Sequence, residues 1–109
     1  MALVEDVYKV TRAFPRSEVF ALASQMQRAA VSVPANIAEG QARGYRAEYA
    51  HHLAVALGSL AELLTHIEIA RRLGYVTAAE ATRLADRADA LRRQVNALRI
   101  TLLARLPAK

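Results

Sequence analysis

Apolar residues recur along this chain at the three- and four-residue spacing of a helix face, most clearly in its middle. From Tyr49 to Ala70 the steps alternate between four and three, which predicts a helix of about 27 residues from Arg46 to Leu73. The same alternation after Thr77 predicts a fourth helix that ends before Pro107. The predicted core positions are Tyr49, Leu53, Ala56, Leu60, Leu63, Ile67 and Ala70 in the third helix, and Leu84, Ala88, Leu91, Val95, Leu98 and Leu102 in the fourth.

Two short signals mark the connection between these helices. Gly74 predicts a left-handed end for the third helix, because glycine adopts that conformation at the least cost. Thr77 and Glu80 have the spacing of a capping box, which predicts the first turn of the fourth helix. A connection this short places consecutive helices side by side and antiparallel.

The N-terminal part of the chain predicts two further helices. The first ends at Pro15, and Ser17 is a candidate N-cap for the second. Gly40 and Gly44 loosen and end the second helix near the residues ARGY. The predicted core positions are Leu3, Val7, Val10 and Phe14 in the first helix, and Leu22, Met26, Ala30, Val33 and Ile37 in the second.

The stretch VSVPANIAEG, residues 31–40, places Pro34 inside this second helix. Proline removes a backbone donor and crowds the preceding turn, at a cost of about 3 kcal/mol in a helix interior. The apolar spacing nevertheless stays in phase across it, so we predict a kinked but continuous helix. In that helix the Ser32 hydroxyl or a water molecule serves the Ala30 carbonyl that the proline frees.

Asn36 and Glu39 follow Pro34 and have two interpretations. They either line a site, or they have a structural role, and we favour the structural role. In that role Asn36 serves backbone groups opened by Pro34, and Glu39 pairs with Arg28 or Arg43.

The third helix has a second, unusual face made only of small residues. A glycine in mid-helix costs about 1 kcal/mol relative to alanine, so we expect close approach of another helix as compensation. The predicted first helix is about half as long as its neighbours, so part of the bundle is left for a sister subunit to cover, unless the natural chain begins earlier than Met1. The residues of the small face are Ala54, Gly58, Ala61 and Thr65.

These patterns predict an all-α fold: an antiparallel up-down-up-down four-helix bundle in a single domain, residues 1–109. The chain is 54% hydrophobic and has no cysteine, which excludes disulfides, thiolate metal sites and thiol nucleophiles. It lacks an uninterrupted apolar run of membrane-spanning length and the order of a signal peptide. We therefore expect a cytoplasmic protein without membrane contact.

The formal net charge of +5 has a local origin. The segment from Ala90 to Lys109 contains five basic residues and no acid, and the rest of the chain balances to zero. On a helix such residues can follow nucleic-acid phosphates, although the helix dipole, a solvated face or ion pairs between subunits would also explain them. Earlier in the fourth helix, Arg83, Arg87, Asp86 and Asp89 have the spacing of ordinary surface pairs. The candidate nucleic-acid-binding residues are Arg92, Arg93, Arg99 and Arg105.

Motifs for catalysis or metal binding are incomplete. Glu48 and His51 match one element of a di-iron bundle site, but Glu62 and His66 have a different spacing and no third helix supplies another. We expect the three histidines, which include His52, to make hydrogen bonds between helices. Ser24, Ser32 and Ser59 lack a local triad signature, and EGQARG lacks the context of a phosphate loop. We predict no catalytic residue, no metal and no cofactor.

Taken together, two long segments carry a resemblance to a known family. FPRSEVFALASQMQRAAVSVPANIAEG and LAVALGSLAELLTHIEIARRLGYVT resemble the four-helix-bundle proteins encoded within intervening sequences of bacterial 23S ribosomal RNA genes, the S23-type family. Members of that family begin further upstream, so Met1 is expected to be an internal methionine. The most specific positions are Phe14-Pro15, Gln25 with Arg28-Ala29, Ser32 through Gly40 (with Pro34, Asn36 and Glu39), Gly58-Ser59-Leu60 with Glu62, and Leu73-Gly74-Tyr75.

The resemblance implies a bundle that assembles into a ring, typically a homopentamer, and does not imply an enzyme. A related branch, the accessory variability determinant of diversity-generating retroelements, is a basic pentamer that binds nucleic acid and a reverse transcriptase. Two hypotheses follow by this fold-level analogy. The chain is either an oligomeric scaffold that holds structured RNA or DNA through its arginines, or a structural oligomer that recruits a protein partner.

Overall fold

The computed structural model describes residues 1–107 and contains four α-helices, with no strand among those residues. A short 3-10 turn precedes the second helix, and the molecule measures 51 × 23 × 21 Å. The helices are α1 (Ala2–Thr11), α2 (Leu22–Arg43), α3 (Arg46–Arg72) and α4 (Ala78–Ala104), and the 3-10 turn is Arg16–Glu18.

The connection between α1 and α2 differs from the prediction at both ends. α1 ends at Thr11, and Phe14 is buried beyond the helix, where its ring lies 5.4 Å from the ring of Tyr75. Ser17 is not the N-cap of α2, because the intervening residues form the 3-10 turn. The first turn of α2 is served instead by Glu18, whose carboxylate accepts a hydrogen bond from the Leu22 N–H at 3.2 Å.

α2 is continuous through Pro34, as the apolar spacing predicts. The predicted role of the Ser32 hydroxyl is wrong, since this hydroxyl points across to α3 and not back to the Ala30 carbonyl. Asn36 does serve the backbone near the proline: its Nδ2 donates to the Ser32 carbonyl at 2.8 Å. Gly44 ends the helix in the left-handed region with φ of 77°.

The predicted signals between α3 and α4 are confirmed. Gly74 has φ of 77°, and the N–H groups of Gly74 and Tyr75 donate to the carbonyls of Arg71 and Ala70, which is a Schellman arrangement. Thr77 Oγ1 accepts from the Glu80 N–H at 3.0 Å, while Glu80 accepts from the Thr77 N–H at 2.9 Å. The capping box therefore starts α4 at Ala78.

The core lies along one stripe of each helix and follows the predicted positions closely. Tyr49, Ile37 and Leu91 are half-buried, and Leu98 is exposed although the pattern places it in the core. α1 is ten residues long and packs less extensively on α4 than α3 does, so α4 is covered mainly on the side that faces α3. The fully buried larger side chains are Met26, Leu53, Leu60, Leu63, Leu84, Val7 and Val33.

α3 is the central helix, because it packs along both α2 and α4. By length and composition it is also apolar enough to cross a membrane, with a mean hydropathy of 1.5 over its most apolar window. Core helices of globular proteins meet the same test, and here Leu53, Leu60 and Leu63 are fully buried against the neighbouring helices. α3 thus supplies much of the core that holds the surface features described below in place.

Candidate functional site

The C-terminal half of α4 carries arginines with few acids to neutralise them. Arg92 donates two hydrogen bonds to Asp89 Oδ1, from Nε at 2.9 Å and from Nη2 at 2.8 Å. Arg93 lies 3.8 Å from Oδ2 of the same carboxylate. The hydrogen bond from Arg92 lowers the pKa of Asp89 below its usual value, so this carboxylate is ionised at neutral pH. One negative charge is therefore shared by two guanidiniums, and the cluster keeps a positive charge.

Arg99 and Arg105 continue the positive charge towards the end of α4. Arg99 is half-buried, and its Nε is buried without a hydrogen-bond partner among residues 1–107. Arg105 is exposed at the C-cap. Neither pairs with an acid in the described part of the chain. Lys109, the last basic residue of this segment, lies outside the described residues.

The four candidate arginines occupy two places. Arg92 and Arg99 are seven residues apart and therefore share one face of α4, with Arg93 next to them. Arg105 lies about 20 Å further along the helix axis than Arg92 and borders a hollow beside the first turn of α3. Phosphate contacts by all four would thus require a ligand that follows α4 to its end.

Two other charged residues of α4 find partners outside the predicted local pairs. Arg87 lies 3.1 Å from Asp6 of α1, an ion pair that ties α1 to α4. Asp89 pairs forward along the helix with Arg92, and neither Arg83 nor Asp86 pairs within residues 1–107. Within residues 1–107, Asp89 is therefore the one acid of α4 that pairs with the arginines following it.

A second polar feature lies between α2 and α3, where a hollow of about 440 Å³ opens at the surface. Arg28, Ser32 and Glu62 of the resemblance motifs come together there, although they belong to two helices. Pro34, Asn36, Glu39 and Gly40 lie further along α2 and do not line it. The complete lining is Gln25, Arg28, Ala29, Ser32, Ser59 and Glu62.

A chain of hydrogen bonds crosses from α2 to α3 beside this hollow. Ser59 donates to the Val55 carbonyl at 3.2 Å, so its oxygen accepts from the Ser32 hydroxyl at 2.7 Å. Ser32 accepts from Asn36 Nδ2 at 3.1 Å. Asn36 Oδ1 in turn accepts from His52 Nδ1 at 3.2 Å. Both serine protons are committed in this arrangement, and His52 contacts an amide and not a serine.

The committed hydroxyls leave the charged side chains as the groups through which the hollow can bind another molecule. Glu39 pairs with Arg43 at 2.9 Å and not with Arg28, the other predicted partner, so it does not neutralise Arg28 beside the hollow. That hydrogen bond also lowers the pKa of Glu39. Arg28 is exposed and forms no ion pair with another residue in 1–107. Glu62, on the opposite wall, accepts only from His66 at 3.2 Å, so each wall carries a charge.

The histidines only partly match the prediction that they join helices. His52 bonds across to α2, whereas His66 bonds to Glu62 within α3. His51 is exposed, with its ring 5.6 Å from that of His52. The side chains described include no group of three His, Cys, Asp or Glu residues that could hold a metal ion.

The small-residue face of α3 is open in the single chain. A methyl group added at Gly58 would meet no heavy atom within 4 Å, so no other helix of this chain approaches it. Close approach within the chain occurs instead at Gly40 of α2. There an added Cβ would lie 2.9 Å from His52 Cβ and 3.0 Å from Tyr49 Cδ1. The prediction that a neighbouring helix compensates Gly58 is wrong for the isolated chain.

The turn between α2 and α3 is a feature that the sequence analysis missed. Gly44 turns the chain sharply, and the next residue, Tyr45, is 70% exposed. Arg46 follows, and a hollow of about 470 Å³ separates this turn from Arg105 and the residues after it. The signal was present in the string RGYR, an aromatic residue between two arginines directly after a glycine that ends a helix.

Comparison with known proteins gives one result on identity. No curated protein matches the sequence. The model of the family described as 23S rRNA-intervening sequence protein matches residues 1–97, which include α1, α2, α3 and most of α4. Since this match covers most of a four-helix chain, the protein belongs to the 23S rRNA-intervening sequence protein family.

Proposed function

We propose that this protein is a non-enzymatic, homo-oligomeric scaffold of the cytoplasm that holds structured RNA or DNA through the arginines of α4. The observation that carries the proposal is the charge balance after Arg87, where the single carboxylate of Asp89 faces Arg92 and Arg93, and where Arg99 has no acidic partner among residues 1–107. Guanidiniums of this kind bind phosphates in a bidentate manner and release counterions when they do so.

The position of these arginines supports contact with a backbone more than with base edges. Arg92 and Arg99 are about 10 Å apart along one helix face, and a row of this kind can follow successive phosphates. Arg99 has no acidic partner among residues 1–107, so no carboxylate competes with a phosphate for its guanidinium. The chain would therefore recognise the shape and charge of a nucleic acid.

Assembly into a ring, which we propose to be a pentamer of antiparallel bundles, would repeat this surface around an axis. The pairs Asn36–His52 and Ser32–Ser59 support the antiparallel direction, because the residue number falls in α2 as it rises in α3. The open face around Gly58 and the charged walls at Arg28 and Glu62 support contact between copies. Several weak phosphate-binding faces in one assembly would bind a long nucleic acid by avidity.

Salt dependence of binding tests the proposal. The double variant Arg92→Glu/Arg99→Glu is compared with Arg12→Glu/Arg16→Glu, which changes the net charge equally through exposed residues in the connection between α1 and α2. Affinity for a fluorescent RNA hairpin is measured by anisotropy over a series of salt concentrations. We expect the α4 variant to reduce the slope of log K against log salt by about 2, because two phosphate contacts are lost. The control variant should keep most of the wild-type slope. Equal slopes in the two variants, or binding by the wild type that salt does not weaken, would refute the proposal.

A second function places these arginines in contacts between subunits and not on a nucleic acid, and the open face around Gly58 favours such contacts. In that case the protein is a structural oligomer that recruits a protein partner, such as a reverse transcriptase, without binding nucleic acid. The same α4 variant then changes the mass of the assembly in light scattering, and neither protein binds the hairpin. Loss of hairpin binding with an unchanged mass favours the nucleic-acid scaffold.

A further inference from the structure

The turn between α2 and α3 brings an exposed aromatic ring and two arginines to one end of the molecule. Tyr45 and Arg46 come from this turn, and Arg105 comes from the end of α4. All three line the hollow of about 470 Å³, which is in the size range of small-ligand sites. Arg105 is far from Tyr45 and Arg46 in sequence, so only the fold brings the three together.

We propose that this hollow is a nucleotide subsite, in which Tyr45 stacks on an unpaired base and Arg46 and Arg105 contact the adjoining phosphate of single-stranded RNA or DNA. The inference rests on the proposed function, and adds to it an unpaired nucleotide as the ligand. It also gives a role to Arg105, which lies apart from the other candidate arginines: this residue contacts the phosphate of the unpaired nucleotide.

The exposure of Tyr45 supports stacking. The residue is 70% exposed, so its ring is accessible to a flat ligand. A second hollow of about 290 Å³, lined by Gly40, Gln41 and Tyr49 among others, adjoins the same Tyr45 and Arg46. Tyr45 therefore lines both hollows, and every base has a face that can stack on its ring.

The charges around the hollow favour an anion next to that ring. Arg43 is held by Glu39 and is also influenced by the charge of Glu48. Arg46 and Arg105, in contrast, have no acidic partner within 4 Å among residues 1–107. Two unpaired guanidiniums beside an exposed aromatic ring match a nucleotide, which has a phosphate and a flat base, better than they match a simple anion.

The test compares single-stranded and duplex ligands. Affinity for a short, labelled, single-stranded RNA, for its DNA equivalent and for the matching duplex is measured by anisotropy with the wild-type chain, Tyr45→Ala and Tyr45→Phe. The matched control is Tyr8→Ala, which removes a partly exposed tyrosine from α1. Arg46→Gln is compared in the same way with Arg16→Gln, and circular dichroism verifies that each variant is folded.

We expect Tyr45→Ala to weaken single-strand binding about 5- to 100-fold, as loss of one stacked base does, and to leave duplex binding almost unchanged. Tyr45→Phe and Tyr8→Ala should bind like the wild type, and Arg46→Gln should weaken binding more than Arg16→Gln does. If Tyr45→Ala binds single strands as the wild type does while Arg92→Glu/Arg99→Glu still weakens binding, the subsite is wrong and the proposed function stands. If the wild-type chain binds no oligonucleotide, the proposed function fails first and the subsite with it.

Discussion

Two glycines inside helices, Gly40 in the last turn of α2 and Gly58 in the middle of α3, give a direct test of where helices approach one another, because the same substitution should have different effects at each. Alanine is favoured over glycine in a helix by about 1 kcal/mol, and this gain is common to Gly40→Ala and Gly58→Ala. At Gly58 the added methyl meets nothing within 4 Å, so the variant should be stabilised by about 0.5–1 kcal/mol.

At Gly40 the methyl would lie 2.9 Å from His52 Cβ and 3.3 Å from Tyr49 Cα, which are atoms that no side-chain rotation can move away. α2 and α3 must then separate, and overpacking of this kind costs about 1–3 kcal/mol. After the helix-propensity gain, Gly40→Ala should be unchanged or less stable by up to about 2 kcal/mol. The difference between the variants is the firmer quantity, about 1–3 kcal/mol, since the propensity contribution cancels.

Urea unfolding followed by circular dichroism measures both variants against the wild type. The measurement is repeated at several protein concentrations, because association of copies through the open face of α3 would make the stability of Gly58→Ala depend on concentration. Thermal unfolding should separate the two variants by about 4 °C for each kcal/mol. Equal stabilities within about 0.5 kcal/mol would refute the close approach of α2 and α3 at Gly40.

Two further predictions concern the ends of α3 and α4. Thr77→Ala removes one half of the capping box and should cost about 1 kcal/mol in urea unfolding, whereas Thr82→Ala, inside α4, should have almost no effect; equal losses would contradict the role of the cap. Hydrogen bonds from Arg71 and Arg72 lower the pKa of Glu68 from 4.5 to about 2, so this group stabilises the fold above pH 4.5 and loses that effect as the pH falls towards 2. The stabilities of the wild type and Glu68→Gln should therefore differ at pH 6 and converge near pH 2, and a constant difference over that range would contradict this assignment.

Local signals predict the elements of this fold well. Gly74, Thr77 and Glu80 act on atoms within a few residues, so their spacing alone predicts how α3 ends and α4 begins. The start of α2 is not predicted correctly by such local signals. Ser17 has the right residue type, but the chain forms a 3-10 turn there, and a carboxylate from Glu18 serves the first N–H of the helix instead.

Contacts between helices depend on rotation and register, which the apolar pattern does not determine residue by residue. Ser32 and Ser59 are 27 positions apart and meet at 2.7 Å only because α2 and α3 present these two faces to each other. The same rotation leaves Gly58 exposed and puts Gly40 into the close contact. Sequence periodicity thus predicts which stripe of a helix is buried, but not which residues at the edge of that stripe touch a neighbour.

The same limit applies to charge: a net charge summed over the sequence does not tell which charged side chains are paired. The sum over residues places the surplus after Ala90 and treats the rest of the chain as neutral. Within that neutral part, Asp6 pairs with Arg87 and Glu39 pairs with Arg43, whereas Arg46 has no acidic partner among residues 1–107. An anionic ligand responds to the unpaired cations within its reach, because an arginine that is already held by a carboxylate must exchange one partner for another. The arginine at the α2–α3 turn is therefore as strong a candidate as those of α4, although no segment sum would have selected it.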